Sequence, residues 1–211
     1  MARAPLTDEE LNPLDPATRM VLNVESMGIT PDKFFRLCTD NPDLSLELTA
    51  QKEIVIMPPT GGEGDSQNLD ITMQLGIWVK RTKNGKAFGP TAGFTLPNGA
   101  IRSPDAAWIR LERWLALSKE RRRKLLPLCP EFVIELRSPS NTLRGLKNKM
   151  TEYIENGAQL GWLIDPFSQS VYVYRPGQPV ERLDKPASVK GDPTLPGFIL
   201  DLAEIWEDAS A

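Results

Sequence analysis

The stretch Glu131-Phe132-Val133-Ile134-Glu135-Leu136-Arg137 has the pattern of a buried strand that also carries charge. Successive side chains of a strand point to opposite faces. The alternation therefore predicts one face with Phe132, Ile134 and Leu136, and another with Glu131, Val133, Glu135 and Arg137. Charged groups on so apolar a strand are costly to bury unless they pair or bind something. A structural Glu135–Arg137 pair is one interpretation, and a site that needs a second acid is the other.

The sequence Ser103-Pro104-Asp105 supplies a second acid, at the head of a strand predicted over 105–110. Two acids on adjacent strands can converge on one hard cation with oxygen ligands, as magnesium prefers. A Pro-Asp dipeptide alone is a weak signal, because it is also ordinary in turns.

A helix is expected after Pro139, capped by Ser140 or Asn141 and ending at Gly157. Its apolar stripe is centred near Leu146 and Met150. Lys147 and Lys149 flank this stripe on opposite sides, so either lysine could lie against the sheet, and periodicity does not choose between them.

The remaining elements are predicted from caps, alternation and turn residues. A short helix is expected near 17–24, a helix over 30–39 with Thr30 as its N-cap, and a β-hairpin from 44–48 and 53–57. A further helix covers 69–79, and a strand pair covers 162–165 and 171–174. This order predicts an α/β sandwich with a mixed sheet.

The 211 residues fit one domain and contain no histidine. Histidine-dependent nucleophile pairs and histidine-bearing zinc sites are therefore excluded. No apolar run is long enough to span a membrane, and nothing resembles a signal peptide. Cys38 and Cys129 lie far apart without CxxC spacing, so the sequence predicts a cytoplasmic protein with inert thiols.

The net charge of −3 hides a basic middle segment. Residues 1–77 carry net −8, residues 78–149 carry +11, and residues 150–211 carry −6. A solvated charged face is one interpretation, especially for 119–124, but binding to phosphates needs such a field. The candidate phosphate contacts are Lys80, Arg81, Lys83, Lys86, Arg102, Arg110 and Arg113.

Several motifs in order resemble the Uma-type putative restriction endonucleases, a family of the PD-(D/E)xK nuclease superfamily. The resemblance covers residues 30 to 206, between an N-terminal arm (1–29) and a C-terminal tail (207–211). It rests on Pro104-Asp105, Glu135-Leu136-Arg137 and the Lys-x-x-x-Tyr helix, with Leu46-Glu47-Leu48, residues 57–61, residues 94–99, residues 157–166 and Leu195-Pro196-Gly197-Phe198.

The resemblance implies a restriction-endonuclease-like α/β sandwich, with a central mixed β-sheet flanked by helices and an N-terminal β-hairpin. It implies that Asp105, Glu135 and the carbonyl of Leu136 bind Mg²⁺ or Mn²⁺, and that Glu47 could approach the metal through water. An exposed strand glutamate is the alternative for Glu47. Arg137 stands where the superfamily usually has its lysine, and it is expected to take part in catalysis by helping to neutralise the developing charge. In Uma-like sequences the lysine lies on the following helix, four residues before the tyrosine. That position is Lys149 here, and Lys149 is expected to orient or deprotonate the nucleophile.

The expected function is a metal-dependent endonuclease that cleaves DNA and acts as a homodimer. The alternative is an inactive nucleic-acid-binding or protein-interaction module on the same fold, suggested by Arg137. A glycoside hydrolase that uses Asp105 and Glu135 is a third possibility. It is disfavoured because Trp78, Trp162 and Trp206 sit in apolar runs and are predicted to belong to the core.

Overall fold

The computed structural model describes residues 20–208, so most of the predicted arm and the last three residues of the tail lie outside the described residues. No helix in this part of the chain is long and apolar enough to cross a membrane. The helices are α1 (Pro31–Asp40), α2 (Gly62–Thr82), α3 (Leu111–Ala116), α4 (Leu143–Glu155) and α5 (Ala203–Asp208).

An N-terminal sheet contains the predicted hairpin. Its strands are β1 (Met20–Asn23), β2 (Ser45–Leu48), β3 (Glu53–Met57), β5 (Phe94–Thr95) and β6 (Ile101–Arg102), in the order β1-β3-β2-β6-β5. The short helix expected near 17–24 is wrong for residues 20–23. These residues instead pair antiparallel with β3, Met20 opposite Ile56, because the edge of the hairpin offers backbone hydrogen bonds that a single helical turn cannot match.

The central sheet has six strands in the order β11-β10-β9-β8-β7-β4. They are β4 (Gly85–Phe88), β7 (Ala106–Arg110), β8 (Phe132–Leu136), β9 (Leu160–Asp165), β10 (Ser170–Tyr174) and β11 (Glu181–Asp184). Only β8 and β9 are parallel among these pairs, and α4 connects them as a crossover. The predicted mixed sheet flanked by helices is confirmed.

The two faces of the central sheet bury separate cores, as the alternation in β8 predicts. Phe132 and Ile134 pack on one side with α2 and the C-terminal segment, where Trp162 stacks on Phe198 at 5.8 Å between ring centroids. Val133 packs on the other side with α4. The C-terminal segment adds a two-stranded sheet of β12 (Ser188–Lys190) and β13 (Ile199–Asp201).

The predicted N-cap is correct for α1 and wrong for α4. Thr30 caps α1 as predicted, because its side chain accepts a hydrogen bond from the Lys33 amide. The expected cap of α4 at Ser140 or Asn141 is wrong: Thr142 Oγ1 accepts from the Gly145 amide at 3.1 Å. Ser140 and Asn141 are occupied instead by hydrogen bonds with Ser138.

Gly85 marks a close approach between β4 and β7. A Cβ at this position would lie 2.2 Å from the Ile109 carbonyl oxygen and 2.2 Å from the Trp108 indole nitrogen. We therefore expect Gly85→Ala to lower the free energy of unfolding by about 2 kcal/mol or more, because backbone and a packed ring must shift. Gly62→Ala is the control, since a Cβ there meets no atom within 4 Å. Urea denaturation of the two variants measures the difference, and equal stabilities would contradict the packing described.

Candidate active site

Asp105 and Glu135 lie opposite each other on neighbouring strands. Ala106 pairs with Ile134 in the antiparallel β7–β8 ladder, so the register places Asp105, immediately before β7, across from Glu135. The amide of Leu136 donates a 2.7 Å hydrogen bond to Asp105 Oδ2. This bond holds the aspartate against the end of β8, beside the buried Glu135.

Lys149 reaches the same place from α4. Its Nζ atom lies 2.8 Å from Glu135 Oε1 and 2.8 Å from Glu47 Oε1, and its side chain is 8% exposed. Lys147 points elsewhere, with its Nζ atom 4.2 Å from the centre of the Tyr172 ring. Of the two lysines that periodicity left open, the structure therefore brings Lys149 to the carboxylates.

Glu47 joins the N-terminal sheet to this cluster. It lies on β2 and is buried, so it is not the exposed strand glutamate that the alternative describes. Besides Lys149, its Oε1 accepts a hydrogen bond from the Ser103 amide at 3.0 Å, and its Oε2 lies 3.1 Å from Arg102 Nη1. Burial raises its pKa, but Lys149 and Arg102 outweigh burial and hold the pKa at about 2.

Arg102 is held between two acids. In addition to Glu47, its Nε lies 2.6 Å from Glu152 Oε2, and Asn98 Nδ2 donates to the other oxygen of Glu152. The guanidinium is 12% exposed. Arg102 is thus the one predicted phosphate contact that lies at the site, but its hydrogen bonds are directed to carboxylates.

Tyr153 and Asn68 belong to the site although sequence reasoning assigned neither to it. The Tyr153 hydroxyl donates to Glu135 Oε1 at 3.0 Å, and its i,i+4 spacing from Lys149 was the available signal. The Asn68 side chain on α2 lies beside Asp105 and opposes the rise in its pKa, while Asn68 Oδ1 is buried without a hydrogen-bond partner. No motif pointed to Asn68, because its contact depends on how α2 packs against the sheet.

The carboxylates of the cluster repel one another. Burial raises the pKa of Glu135, Lys149 opposes this, and repulsion from Asp105 and Glu47 adds to it, leaving a pKa of about 7. Burial also raises the pKa of Asp105. For Lys149 burial acts against the charge, but Glu135 and Glu47 outweigh it and raise its pKa, so the amine is an ammonium ion.

The cluster offers oxygen donors, and its negative charges outnumber its positive charges. When all groups are ionised, the four carboxylates of Glu47, Asp105, Glu135 and Glu152 face two cations, Arg102 and Lys149, which leaves a net charge of −2. Within residues 20–208 no three acidic or cysteine side chains lie close enough to hold a metal by themselves. The donor set nevertheless fits Mg²⁺, which is commonly bound through one or two carboxylates with water and phosphate completing its shell. The unpartnered oxygen of Asn68 beside Asp105 is a further donor.

Arg137 does not contact this cluster in the structure. Strand β8 ends at Leu136, and Arg137 turns to the end of β9, where its Nη1 lies 3.2 Å from Asp165 Oδ2. Its Nε donates to the carbonyl of Asn141. Asp165 is buried, and a buried carboxylate is costly without a cationic partner. The Arg137 guanidinium therefore pairs with Asp165 and not with Glu135.

Most of the other predicted phosphate contacts also lie away from the carboxylates. Lys80, Arg81 and Lys83 follow one another at the C-terminal end of α2, about 18 Å along the helix from Asn68. Lys86 lies on β4 opposite Ile109, about four residues along the ladder from the site. Arg110 and Arg113 approach Glu131, at 4.0 and 3.0 Å.

Comparisons with known proteins agree with this architecture. A crystal structure of a putative nuclease belonging to DUF820 from Anabaena variabilis ATCC 29413 superposes with a TM-score of 0.71 at 24% identity. The alignment covers 86% of this chain and 99% of that one, and it shows a shared fold. No curated protein matches the chain.

The family model of Uma2, described as "Putative restriction endonuclease", matches residues 31–203, which span α1 to the start of α5 and include all the carboxylates of the site. The resemblance noted in the sequence is thereby confirmed, and the chain belongs to the Uma2 putative restriction endonuclease family.

Proposed function

We propose that this protein is a metal-dependent endonuclease that hydrolyses phosphodiester bonds in DNA. The observation that carries the proposal is the juxtaposition of Asp105 and Glu135 across β7 and β8, with Lys149 Nζ 2.8 Å from Glu135. Family membership supports a nuclease activity, and the oxygen donors support a hard metal ion. The unpaired thiols of Cys38 and Cys129 fit the proposed cytoplasmic setting.

Asp105, Glu135 and the carbonyl of Leu136 would hold Mg²⁺ or Mn²⁺. When bound, the ion would polarise a phosphodiester oxygen and lower the pKa of a water molecule. The Leu136 amide fixes the Asp105 carboxylate, while the Tyr153 hydroxyl and Lys149 fix that of Glu135. These bonds preorganise both acids, so little rearrangement is needed when substrate arrives.

Lys149 acts in this proposal as a cation rather than as a base. Its pKa is raised by Glu135 and Glu47, so it keeps its proton and can orient the nucleophile or neutralise developing charge. Glu47 holds Lys149 in place: both of its oxygens already accept bonds, which favours this role over water-mediated metal binding. Arg137 is bonded to Asp165 and supports the end of the sheet rather than the reacting group.

The first prediction concerns the two acids. Asp105→Asn and Glu135→Gln keep the size of each side chain but remove its charge, so we expect each to reduce cleavage of supercoiled plasmid at least about 100-fold. Wild-type cleavage should require Mg²⁺ or Mn²⁺ and stop with EDTA. Glu155→Gln, which changes an exposed acid on α4, is the matched control and should cleave as wild type does. Equal cleavage by all variants would identify a contaminating nuclease and overturn the proposal.

The second prediction concerns the choice of lysine. Lys149→Met leaves two buried carboxylates without their shared cation, so we expect a loss of about 3–5 kcal/mol in stability and a loss of cleavage. Lys147→Met removes only a contact with the Tyr172 ring and should cost about 1 kcal/mol or less, with cleavage retained. Urea denaturation and plasmid cleavage measure both effects. A larger effect at Lys147 would reverse the assignment.

An inactive module that binds nucleic acid is the second candidate. It is favoured by one observation, that the Lys149 ammonium is already neutralised by Glu47 and Glu135 while Arg137 is bonded elsewhere. In this case fluorescence anisotropy should show DNA binding that weakens with salt, no turnover with either metal, and affinity that Asp105→Asn leaves unchanged or raises. Loss of binding in Asp105→Asn with an intact fold would argue against it.

A further inference from the structure

The outer face of α2 carries a stripe of large apolar side chains. Leu69 is 68% exposed, Met73 52% and Ile77 57%. They are spaced four residues apart, so they form one ridge along the helix, with Leu69 and Ile77 about 40° to either side of Met73. The opposite face, with Ile71, Leu75 and Trp78, is buried in the core. A soluble helix normally presents polar residues outward, so the ridge marks an interaction surface.

We propose that this face of α2 packs against the same face of a second copy of the chain, antiparallel about a two-fold axis at Met73. A two-fold interface must be complementary to itself. A residue that precedes the axis by a given number of positions lies level with the residue that follows the axis by the same number on the partner helix. An axis at Met73 places Met73 against its own counterpart and Leu69 against Ile77. The apolar ridge is therefore matched along its whole length.

The charges of α2 obey the same symmetry. Glu63 and Asp65 are exposed in its first turn, and Arg81 and Lys83 are exposed at its other end. In the antiparallel arrangement Glu63 lies beside the partner's Arg81 on one side of the helix pair, and Asp65 lies beside the partner's Lys83 on the other side, at both ends of the pair. A parallel arrangement would place acid against acid and base against base. The helix dipole accounts for the sign at each end, but the equal spacing from Met73 is what makes the face self-complementary.

These charged groups are available for a partner. Among residues 20–208 the ion pairs involve other side chains, and none involves Glu63, Asp65, Arg81 or Lys83. Lys80, which also faces outward, would meet the uncharged Ser66. The charge pattern predicted that Arg81 and Lys83 contact phosphate, but both lie far from the carboxylates of the site. In the proposed dimer they instead pair with acids of the partner helix.

The face leaves the candidate site open. Asn68 contacts Asp105 from the flank of α2 that faces the sheet, whereas Met73 points about 140° away from it around the helix. A helix pair on the outer face would therefore leave the carboxylates of the candidate site uncovered. The inference does not depend on the proposed nuclease activity, and its test involves no cleavage.

A single pair of helices buries less area than a standard interface of about 800 Å² per partner. We therefore expect a concentration-dependent dimer, with Kd in the micromolar range. Sedimentation equilibrium of the full chain should show a transition from 23.5 kDa to twice that mass. A monomer at every concentration up to about 1 mM would overturn the inference.

Substitutions separate this interface from any other. Met73→Lys puts two charges together at the axis and should raise Kd at least about 100-fold without changing thermal stability. Leu115→Lys is the matched control, because Leu115 is 61% exposed on α3 and lies outside the face. Arg81→Glu should raise Kd by about five-fold, and Glu63→Arg in the same chain should restore it, since the pair is only reversed. A dimer unaffected by Met73→Lys would use another surface, and the inference would be wrong.

Cross-linking tests the axis directly. Met73→Cys in a Cys38→Ser background should form an intermolecular disulfide on mild oxidation, because the two thiols face each other at a two-fold axis. Leu115→Cys in the same background should not. Cross-linking of Leu115→Cys alone, or vesicle or DNA binding that is lost in Met73→Lys while the protein stays monomeric, would assign the face to another partner and overturn the inference.

Discussion

The buried Lys149 ammonium is the interaction on which the structure of the site depends. It lies between Glu135 of the central sheet and Glu47 of the N-terminal sheet, so one side chain of α4 fixes three elements to each other. A buried charge without a partner is costly, and here Lys149 supplies the cation that both glutamates need while the two carboxylates neutralise the ammonium. The N-terminal hairpin is therefore part of the site and not an appendage of the fold.

Further polar contacts surround Lys149, Glu135 and Glu47. Arg102 binds both Glu47 and Glu152, and Asn98 donates a hydrogen bond to Glu152. The Tyr153 hydroxyl donates a hydrogen bond to Glu135. Burial raises the pKa of Glu135 to about 7 despite the adjacent ammonium, and repulsion from Asp105 and Glu47 adds to the rise. A bound divalent cation would reduce this repulsion between the carboxylates. In an ordinary network of ion pairs the opposite charges balance, and no such excess of acids remains.

Much of the fold could be predicted from short-range patterns. The alternation in β8, the N-cap of α1 and the hairpin all follow rules that act within a few residues, and the structure confirms each of them. Local rules were wrong where other groups, distant or nearby in the chain, competed for the same hydrogen bonds. Residues 20–23 joined β3, and Asn141 was drawn into hydrogen bonds with Ser138, so Thr142 became the cap of α4.

The sequence by itself determined which residue types stand at the ends of two adjacent strands, and the absence of histidine limited the site to carboxylates and cations. The tertiary structure alone decided which cation meets them. Periodicity places Lys147 and Lys149 on opposite flanks of one helix but does not say which flank meets β8. Charge counted along the chain likewise could not locate Arg137 or Arg102. A partly buried guanidinium pairs with a buried acid, and Arg137 meets Asp165, and Arg102 meets Glu47, only when the sheets are assembled.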